Sequence, residues 1–389
     1  MGTDLVKVIC GLRRSGKSVM LQLIKAELLG QGVAPAQILE FNFEDMQYRA
    51  LHDHLKLEAR IRAYAGAHRG KLYLFLDEIQ EVESWELTVN SLRSALNCEI
   101  YLTDSNSRLL SGELATYLAG RYVQFTLYPF SYREFLLSRQ LADSAHSFQD
   151  YLTFGGMPFL STLPLERQPI LAYLSDLTYS VLFKDILQRN GFRHVDLLQR
   201  VINYAFANTG QIFSATSLSR FLKSEQRRVA TDTLLDYLRA CTTAYILTKI
   251  PRFDLKDKRP LSVNEKYYAT DLGMREAVAG HNIEDLGQCL ENVICVELLR
   301  RGYTVYTGSG SDFEIDFVAL KDHDPLYIQV CYQLSTEDTI KREFGAFRKL
   351  RDNFPRLVLS LDEFDFSRDG IHHLNIRDFL LSDGWEQRL

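Results

Sequence analysis

The sequence predicts an α/β fold in which a parallel sheet carries a phosphate-binding loop, and three observations predict it. The run from Gly11 to Ser18 reads Gly-Leu-Arg-Arg-Ser-Gly-Lys-Ser and fits the pattern G-x-x-x-x-G-K-[ST]. An apolar run at 5–10 precedes it and a run with helical periodicity follows it. A third apolar run, 72–76, indicates a strand buried on both faces and ends in two carboxylates.

Composition limits the classes of protein that this chain can belong to. Its 389 residues suffice for two to three domains, and a 46% apolar fraction allows a sizeable core. The net charge of −5 excludes a generally polybasic protein, so a nucleic-acid contact requires a local patch. Six scattered cysteines without a C-x-x-C pair predict free thiols in a reducing compartment. Because no apolar run reaches the roughly 20 residues of a membrane helix and no secretory signal opens the chain, we expect a cytoplasmic protein without membrane contact.

Each position of the loop motif has a chemical reason. Gly11 and Gly16 let the backbone turn tightly and approach a triphosphate, and the backbone N–H groups form an anion-binding nest. Lys17 places a charge on the β- and γ-phosphates, and Ser18 offers a hydroxyl to Mg²⁺. We therefore predict ATP and Mg²⁺ as cofactors. For the two arginines of the loop, phosphate, DNA and a protein partner all stay open. The predicted nucleotide-binding residues are Gly11, Arg13, Arg14, Ser15, Gly16, Lys17, Ser18 and Val19.

Further catalytic candidates follow the loop at the ends of predicted strands. Asp77 is expected to hold the Mg²⁺ shell, and Glu78 to orient and polarise the attacking water as a general base. After the next predicted strand, Ser105 or Asn106 could sense the γ-phosphate or belong to a polar turn without a role. Arg121 is a candidate arginine finger, in cis or toward a neighbouring subunit. The predicted catalytic set is Lys17, Asp77, Glu78, Asn106 and Arg121.

Other short motifs follow the loop in a characteristic order. They are Leu-Asp-Glu-Ile-Gln at 76–80, Asp-Ser-Asn-Ser-Arg-Leu-Leu-Ser at 104–111, Gly-Arg at 120–121, Pro-Phe-Ser-Tyr-Arg-Glu-Phe at 129–135 and Gly-Gly-Met-Pro at 155–158. This order resembles the prokaryotic AAA-like ATPases with a C-terminal domain of unknown function, along nearly the whole chain. The resemblance implies ATP hydrolysis, with the catalytic glutamate beside the Mg²⁺ aspartate, and a small lid-like region after the core. Asp104 stands where that family usually has glycine.

The middle of the chain has the pattern of a winged helix-turn-helix. Three helix-like segments lie at 197–206, 218–222 and 229–238, and a polar turn separates the last two. A β-like run at 245–250 follows them. Between Arg220 and Lys266 the chain has eleven lysines and arginines against six aspartates and glutamates, a local excess of five positive charges. We predict a contact with double-stranded DNA, and the alternative is a contact with protein. The DNA-binding candidates are Arg220, Lys223, Arg227, Arg228 and Thr231 on the helices, and Arg252, Lys256, Lys258 and Arg259 on the wing.

The last hundred residues contain an amphipathic helical pattern at 290–299 with a glutamate, an apolar run at 313–318 with an aspartate, and a second run at 326–331. This order resembles the PD-(D/E)XK nuclease fold, in which two carboxylates bind Mg²⁺ and a lysine activates water. Glu291 and Asp316 match that pattern, but Gln329 replaces the second acid and Cys331 replaces the lysine. A neutral amide is a poor Mg²⁺ ligand, and a thiol supplies no positive charge at neutral pH. We therefore expect a nuclease-like fold without nuclease activity that binds nucleic acid, a protein partner or the ATPase core. Glu314 is the residue that could restore a metal site.

These observations predict an α/β P-loop ATPase core at 1–135, a helical lid-like region at 136–190, a winged helix at 191–280 and a C-terminal α/β nuclease-like domain at 281–389. The predicted function is Mg²⁺-dependent ATP hydrolysis, with the nucleotide state controlling a contact with DNA, a protein partner or a second copy of the chain. Two alternatives are an ATP-gated nuclease and an interaction switch that hydrolyses ATP too slowly to matter.

Overall fold

The computed structural model describes residues 4–106, 118, 120–280, 285–322 and 324–385, without the side chains of 262–264. Residues 107–111, the end of one motif quoted above, lie outside this set. The chain divides into two compact units, residues 1–127 with 243–245 and residues 128–242 with 246–389. Among the described residues, no helix has the length and apolar character needed to cross a membrane.

The first unit is built on a five-stranded sheet in the order β2-β3-β4-β1-β5, in which every pair of neighbours is parallel. The strands are β1 (Val6–Gly11), β2 (Ile38–Asn42), β3 (Leu72–Asp77), β4 (Cys98–Asp104) and β5 (Tyr122–Leu127). The α-helices of this unit are α1 (Lys17–Gly30), α2 (His54–Ala67) and α3 (Trp85–Ala95), and 3₁₀ turns lie at Pro35–Gln37, Met46–His52 and Ile79–Glu81. This architecture confirms the predicted α/β class.

The apolar run before the acidic pair forms β3 because both of its faces are covered. Leu74 and Leu76 are buried in one core cluster of the sheet, while Phe75 is buried in another, on Tyr101. The Phe75 and Tyr101 rings stack with their centroids 5.0 Å apart. A strand buried on both faces reads as a continuous apolar run, which is typical of parallel sheets. The carboxyl ends of the parallel strands then lie at one edge, where ligands bind in such sheets.

The second unit combines helices with a second sheet. Its helices are α4 (Tyr132–Arg139), α5 (Ala145–Phe154), α6 (Arg167–Ser180), α7 (Val195–Ala207), α8 (Ala215–Ser224), α9 (Thr231–Thr243), α10 (Leu272–Ala279), α11 (Leu286–Arg300), α12 (Glu337–Phe347) and α13 (Ile376–Leu381), with a 3₁₀ turn at Pro158–Thr162 and a π-helical stretch at Val181–Gln188. Its strands are β6 (Leu247–Asp254), β7 (Arg259–Ala269), β8 (Thr304–Ser309), β9 (Glu314–Lys321), β10 (Asp324–Val330), β11 (Arg356–Ser360) and β12 (His372–Asn375). The predicted C-terminal α/β segment is therefore present.

The β6–β7 hairpin, which the sequence pattern assigns to the wing, is part of a larger sheet. The sheet order is β12-β11-β10-β9-β8-β6-β7, and β6 pairs with β8 in parallel, with Arg252 opposite Thr307. The N–H of Leu255, just beyond β6, donates to the Ser309 carbonyl at 3.1 Å. The hairpin therefore forms one edge of the sheet that also contains β8, β9 and β10, a connection that the sequence did not predict.

The Gly-Gly-Met-Pro motif forms a close junction inside the second unit. The Gly156 N–H donates to the buried Asp271 carboxylate at 2.7 Å, and Asp271 also accepts the Met274 N–H at the start of α10 at 3.0 Å. A Cβ on Gly155 would lie 2.3 Å from an Asp271 oxygen, and one on Gly156 would lie 2.1 Å from the Phe130 carbonyl oxygen. Burial raises the pKa of Asp271 to about 6, and the backbone N–H donors oppose this increase. The two glycines are therefore required by packing.

We expect Gly156→Ala to lower the free energy of unfolding by about 3 kcal/mol, because the backbone carbonyl of Phe130 cannot move aside as a flexible side chain would. Gly345→Ala in α12 is the matched control, because a Cβ there meets nothing within 4 Å. An alanine inside a helix should raise stability by about 0.5–1 kcal/mol. Urea unfolding followed by circular dichroism measures both, and equal stability of the two variants would contradict the junction.

Candidate functional site

The loop between β1 and α1 has the shape of an anion-binding loop. Gly11 has a φ of +152°, and a Cβ there would lie 2.2 Å from the Leu127 carbonyl oxygen of β5. Gly16, at φ +100°, is the N-cap of α1 and supplies no side-chain cap. The first N–H groups of α1 therefore have no intrahelical partner and are available to an anion. The Ser15 hydroxyl is buried and lacks a hydrogen-bond partner among the described residues, which fits a polar ligand in this loop.

Lys17 is held inside the loop although it is a charged residue. Its side chain is only 3% exposed. The ammonium donates to the carbonyl oxygens of Gly11 and Leu12, at 3.3 and 3.2 Å. It also lies 3.7 Å from a carboxylate oxygen of Glu78. The loop backbone, Lys17 and Glu78 are therefore in direct contact, a contact between two residues that the sequence had only placed in the same catalytic set.

Asp77, at the end of β3, is buried and bonded by two hydroxyls. The Thr103 hydroxyl donates to the Asp77 carboxylate at 2.6 Å and accepts the Glu78 N–H at 2.8 Å. Burial raises the pKa of Asp77, and the hydrogen bonds from Thr103 and Ser18 oppose that increase. Sequence reasoning missed Thr103; its signal was a hydroxyl at the end of the strand that follows the acidic strand.

The donor set at this edge fits Mg²⁺ bound together with a nucleotide. The hydroxyl of Ser18 and the carboxylate of Asp77 are hydrogen-bonded to each other, so two oxygen ligands lie close together. Magnesium is usually held by one or two protein oxygens, with phosphates and waters completing its octahedron. Among the residues that the structure describes, no group of three or more His, Cys, Asp or Glu could hold a metal. Phosphates and waters would complete the shell of a Mg²⁺ held by these two oxygens.

Glu78 adopts a left-handed backbone conformation, with φ 53° and ψ 50°, which is uncommon for a residue other than glycine. Its carboxylate contacts Lys17 and accepts a hydrogen bond of 2.5 Å from the Gln80 amide. Gln80 is the second residue that sequence reasoning did not single out as part of the site. A carboxylate between a lysine and an amide is held in place and remains able to accept a proton from water.

The other predicted site residues of the first unit differ in their burial and in their contacts. Asn106 is buried just beyond β4, where its N–H is bonded by the Asp104 carboxylate at 2.9 Å. The register pairs Cys10 with Asp104, so Asn106 lies at the same edge as the loop. Arg13 forms an ion pair with Glu44, Arg14 is exposed, and Val19 is 62% exposed in the first turn of α1.

Arg121 lies at the amino ends of the strands, whereas the phosphate loop lies at their carboxyl ends. Its carbonyl accepts the Val6 N–H at 2.9 Å, at the start of β1, whereas the phosphate loop follows the end of β1. Its guanidinium donates to the Asn90 side chain at 3.0 Å. A six-residue strand spans roughly 17–20 Å, more than an arginine side chain can cross. The predicted cis role as an arginine finger is therefore wrong, and the role toward a neighbouring subunit stays a prediction.

In the second unit, the DNA-binding candidates lie on the α8–α9 surface, which we define as the exposed residues of α8, the following turn and the start of α9. Arg220, Lys223, Arg227, Arg228 and Thr231 are all exposed. Arg227 forms an ion pair with Asp196 of α7. Arg220, Lys223 and Arg228 form no ion pair with a residue that the structure describes.

The cations of the predicted wing are partly engaged within the second unit. Arg252 donates to the Ser309 hydroxyl, and Lys258 forms an ion pair of 3.2 Å with Asp352. Arg259 lies 3.5 Å from Asp257 in its own turn, and Lys256 is exposed. The hairpin tip therefore lies against the segment that follows α12.

The nuclease-like residues converge around a buried lysine that sequence reasoning did not assign to them. The Lys266 ammonium, from β7, lies 2.7 Å from a Glu314 oxygen and 3.6 Å from a Glu291 oxygen. Burial lowers the pKa of Lys266, whereas the carboxylates of Glu291, Asp316 and Glu314 together raise it by a larger amount. The pKa of Lys266 therefore lies above its usual value. Burial, together with the neighbouring Glu291, raises the pKa of Asp316 well above its usual value. Sequence spacing gave no signal for this contact, because it depends on the hairpin joining the sheet.

Gln329 and Cys331 occupy the positions where the nuclease pattern has an acid and a lysine. The Gln329 amide oxygen accepts the Asp316 N–H at 2.7 Å, while its NH₂ group donates to Glu343 at 3.4 Å. Burial raises the pKa of the Cys331 thiol to about 12, so it is neutral at physiological pH. The amide acts as a cross-strand bridge here, and the thiol supplies no charge.

Comparison with known proteins supports an AAA domain in the first unit. A family model for an AAA domain matches residues 3–136, and a model for a domain of unknown function (DUF8612) matches residues 145–285. An uncharacterized protein of Haemophilus influenzae is 36% identical over 388 residues, which cover 97% of this chain and 95% of that protein. An uncharacterized protein of Methanocaldococcus jannaschii, MJ1544, is 26% identical over 96% of this chain and 85% of its own length.

Among solved structures, the Walker-type ATPase PABY2304 of Pyrococcus abyssi aligns with a TM-score of 0.47 and 14% identity over 71% of this chain and 91% of that chain. The ORC1 protein of Aeropyrum pernix, solved in complex with DNA, aligns with a TM-score of 0.30 and 11% identity over 71% of this chain and 86% of that chain. On the evidence of the long, 36% identical relative and of the matching domain model, the chain belongs to the same family as the Haemophilus influenzae protein and carries an AAA domain in its first 136 residues.

Proposed function

We propose that this protein hydrolyses ATP with Mg²⁺ and that its nucleotide state controls a contact between the α8–α9 surface and double-stranded DNA. The observation that carries the ATPase proposal is the contact set at the loop: Lys17 beside Glu78, and Ser18 and Thr103 both bonded to Asp77. A glycine-rich loop alone binds phosphate, but hydrolysis also needs a positioned carboxylate, and this set supplies both.

Each residue has a distinct task in this reaction. The loop N–H groups and Lys17 bind the β- and γ-phosphates and stabilise the charge that develops on them. Ser18 and Asp77 would hold Mg²⁺, which neutralises phosphate charge when bound. Glu78 accepts the proton of the attacking water. Thr103 is a positioning residue, because its hydroxyl joins the Asp77 side chain to the Glu78 backbone.

The DNA contact is proposed from charge and placement. Arg220, Lys223 and Arg228 project from the α8–α9 surface without an ion pair to a described residue, so their charges are not neutralised locally. Thr231 is the first residue of α9, the second helix of the pair, and Arg228 lies in the turn just before it. The second helix of a helix-turn-helix enters the major groove by its N-terminal end. Phosphate contacts of this kind position a protein on DNA without reading its sequence.

Nuclease activity is not part of this proposal. Lys266 occupies the space between Glu291 and Glu314 with a positive charge, which opposes the entry of a divalent cation. Gln329 and Cys331 supply neither the second acid nor the cation of the nuclease pattern. An ATP-gated nuclease is therefore the less favoured alternative.

For the ATPase, we expect Glu78→Gln to lower the ATP turnover number by about 10²–10⁴-fold, since an amide cannot accept the proton of water. Binding of a fluorescent ATP analogue should remain, whereas Lys17→Ala should lose both binding and turnover. Glu81→Gln, an exposed glutamate on the next turn, is the matched control and should keep turnover. Unchanged turnover in Glu78→Gln would favour the slowly hydrolysing switch.

A second prediction tests the positioning role of Thr103. Thr103→Val keeps the shape of the side chain but removes the hydroxyl, so we expect turnover to fall at least tenfold, or about 1.4 kcal/mol, at an unchanged melting temperature within a few degrees. Thr103→Ser keeps the hydroxyl and should retain most of the turnover. Equal activity of the two variants would remove Thr103 from the site.

For DNA, we expect the triple variant Arg220→Ala, Lys223→Ala and Arg228→Ala to bind duplex DNA more weakly. The slope of log affinity against log salt should fall by about 2–3, because each lost phosphate contact removes about 0.9. Fluorescence anisotropy at several salt concentrations, with ATP and with ADP, measures the affinity, its slope and its dependence on the nucleotide.

The control for that experiment removes three exposed cations of the first unit, through Lys56→Ala, Arg60→Ala and Arg69→Ala. It changes the net charge of the protein equally and leaves the α8–α9 surface intact. A loss of affinity in the control that equals the loss in the test variant would show that net charge, rather than this surface, attracts DNA.

The role of Lys266 gives a further prediction. Lys266→Met leaves Glu291, Glu314 and Asp316 without their cation, so their mutual repulsion should lower the melting temperature. Added Mn²⁺ should raise the melting temperature of this variant by several degrees more than that of the unchanged protein. An equal effect of Mn²⁺ on both proteins would mean that the lysine does not exclude a metal.

A further inference from the structure

Two adjoining clefts lie in the second unit on the side of the β6–β7 turn. The first has a volume of about 460 Å³ and lies between that turn and the segment that follows α12. Its walls carry the cations Lys256, Lys258, Lys349 and Arg351, together with the ring of Phe313. We call it the basic cleft. It is formed by residues that neither the ATPase loop nor the α8–α9 surface uses.

The basic cleft retains positive charge although two carboxylates also line it. Asp352 is engaged, since it pairs with Lys258 at 3.2 Å and accepts the Tyr327 hydroxyl at 2.9 Å. Asp254 accepts two backbone N–H groups of its own turn, and these bonds hold its pKa below the usual value. Lys256 and Arg351 are exposed and have no ion pair with a residue that the structure describes. The cleft therefore offers cations to an external anion.

Phe313 adds an aromatic surface to these cations. The Lys349 ammonium lies 5.3 Å from the centroid of its ring and pairs with Asp312 at 2.6 Å. A Cβ on Gly310 would lie 2.2 Å from the ring, so glycine at 310 leaves the space that the ring occupies. Cations that bind the backbone, beside an aromatic ring that stacks on bases, are the combination used by proteins that bind single-stranded nucleic acid.

The second cleft extends the first. It has a volume of about 840 Å³, shares Phe313 and Lys349 with the basic cleft, and reaches Glu291 and Asp316. Lys266 neutralises part of the acidic charge at that end. Because Phe313 and Lys349 line both clefts, a ligand longer than one nucleotide can contact the two clefts at once. Each has the size of a small-molecule site, roughly 300–1,000 Å³, which admits nucleotide units of a flexible strand more readily than a rigid duplex.

We propose that a single strand of nucleic acid binds in these clefts, with its phosphates on Lys256, Lys349 and Arg351 and a base against Phe313. This site is separate from the α8–α9 surface and does not depend on ATP hydrolysis, so it goes beyond the function proposed above. The strand passes toward Glu291 and Glu314 but is not cut there, because Lys266 lies between these two carboxylates and neutralises part of their charge.

The test measures binding of a fluorescein-labelled 20-mer of thymidylate, which forms no duplex, to the full chain by fluorescence anisotropy. We expect the double variant Lys256→Ala and Arg351→Ala to lower affinity at least tenfold and to reduce the salt slope by about 1.4, the value for two contacts with a single strand. Phe313→Leu should weaken binding about tenfold at an unchanged salt slope, since it removes stacking rather than charge.

The controls separate this site from other sources of binding. Lys56→Ala with Arg60→Ala is the charge-matched double variant and should keep full affinity. The two exposed cations of the basic cleft can be removed without disturbing the core, so their variant stays informative even if Phe313→Leu unfolds. Unlabelled duplex of the same length should compete at least tenfold more weakly than the single strand.

Three results would overturn the proposal. The first is equal affinity of the Lys256→Ala and Arg351→Ala variant and the unchanged protein. The second is loss of binding only in the α8–α9 variant, which would place the strand on that surface. The third is competition by duplex, or by ATP alone, as strong as that by the single strand, which would indicate a general polyanion site or a mononucleotide site.

Discussion

The hydroxyl of Thr103 makes the interaction on which the ATP site depends. It bonds the buried carboxylate of Asp77 and the backbone N–H of Glu78 at once, from the neighbouring strand. Burial disfavours the charged form of Asp77, and this hydrogen bond compensates for part of the lost hydration. Because β3 and β4 are parallel neighbours, the bond also fixes the two strand ends against each other. The position of Glu78 that results places its carboxylate beside the Lys17 ammonium.

Parallel register decides which of the candidates can act together. Residues at the carboxyl ends of β1, β3 and β4 share one edge, so the loop, the acidic pair and Asn106 meet there whatever their separation along the chain. Arg121 stands at the start of β5 and is excluded by the same geometry. Whether a residue beside a strand can act at the phosphate loop thus depends on whether it lies at the carboxyl end or the amino end of that strand.

The sequence predicted the α/β class and placed Lys17, Asp77 and Glu78 in one catalytic set, because these predictions depend on local patterns: an apolar run, a loop motif and a strand end. It did not predict Thr103, Gln80 or Lys266 as members of the sites. Thr103 and Lys266 reach their carboxylates only once the strands assemble into sheets, and Gln80 reaches Glu78 through the local turn after β3. The position of the predicted wing also depends on strand pairing. The sequence placed a β-like run and a wing here, but the pairing of β6 with β8 is a long-range property that no local pattern predicts.

That pairing has a chemical consequence for the nuclease-like part. Since β7 belongs to the hairpin that joins the sheet, Lys266 reaches Glu291 and Glu314 from a segment outside the nuclease pattern. Three carboxylates brought close together repel one another unless a cation lies between them. The Lys266 ammonium is that cation here. The acids are therefore explained by packing and charge balance, and their presence is not by itself an argument for cleavage.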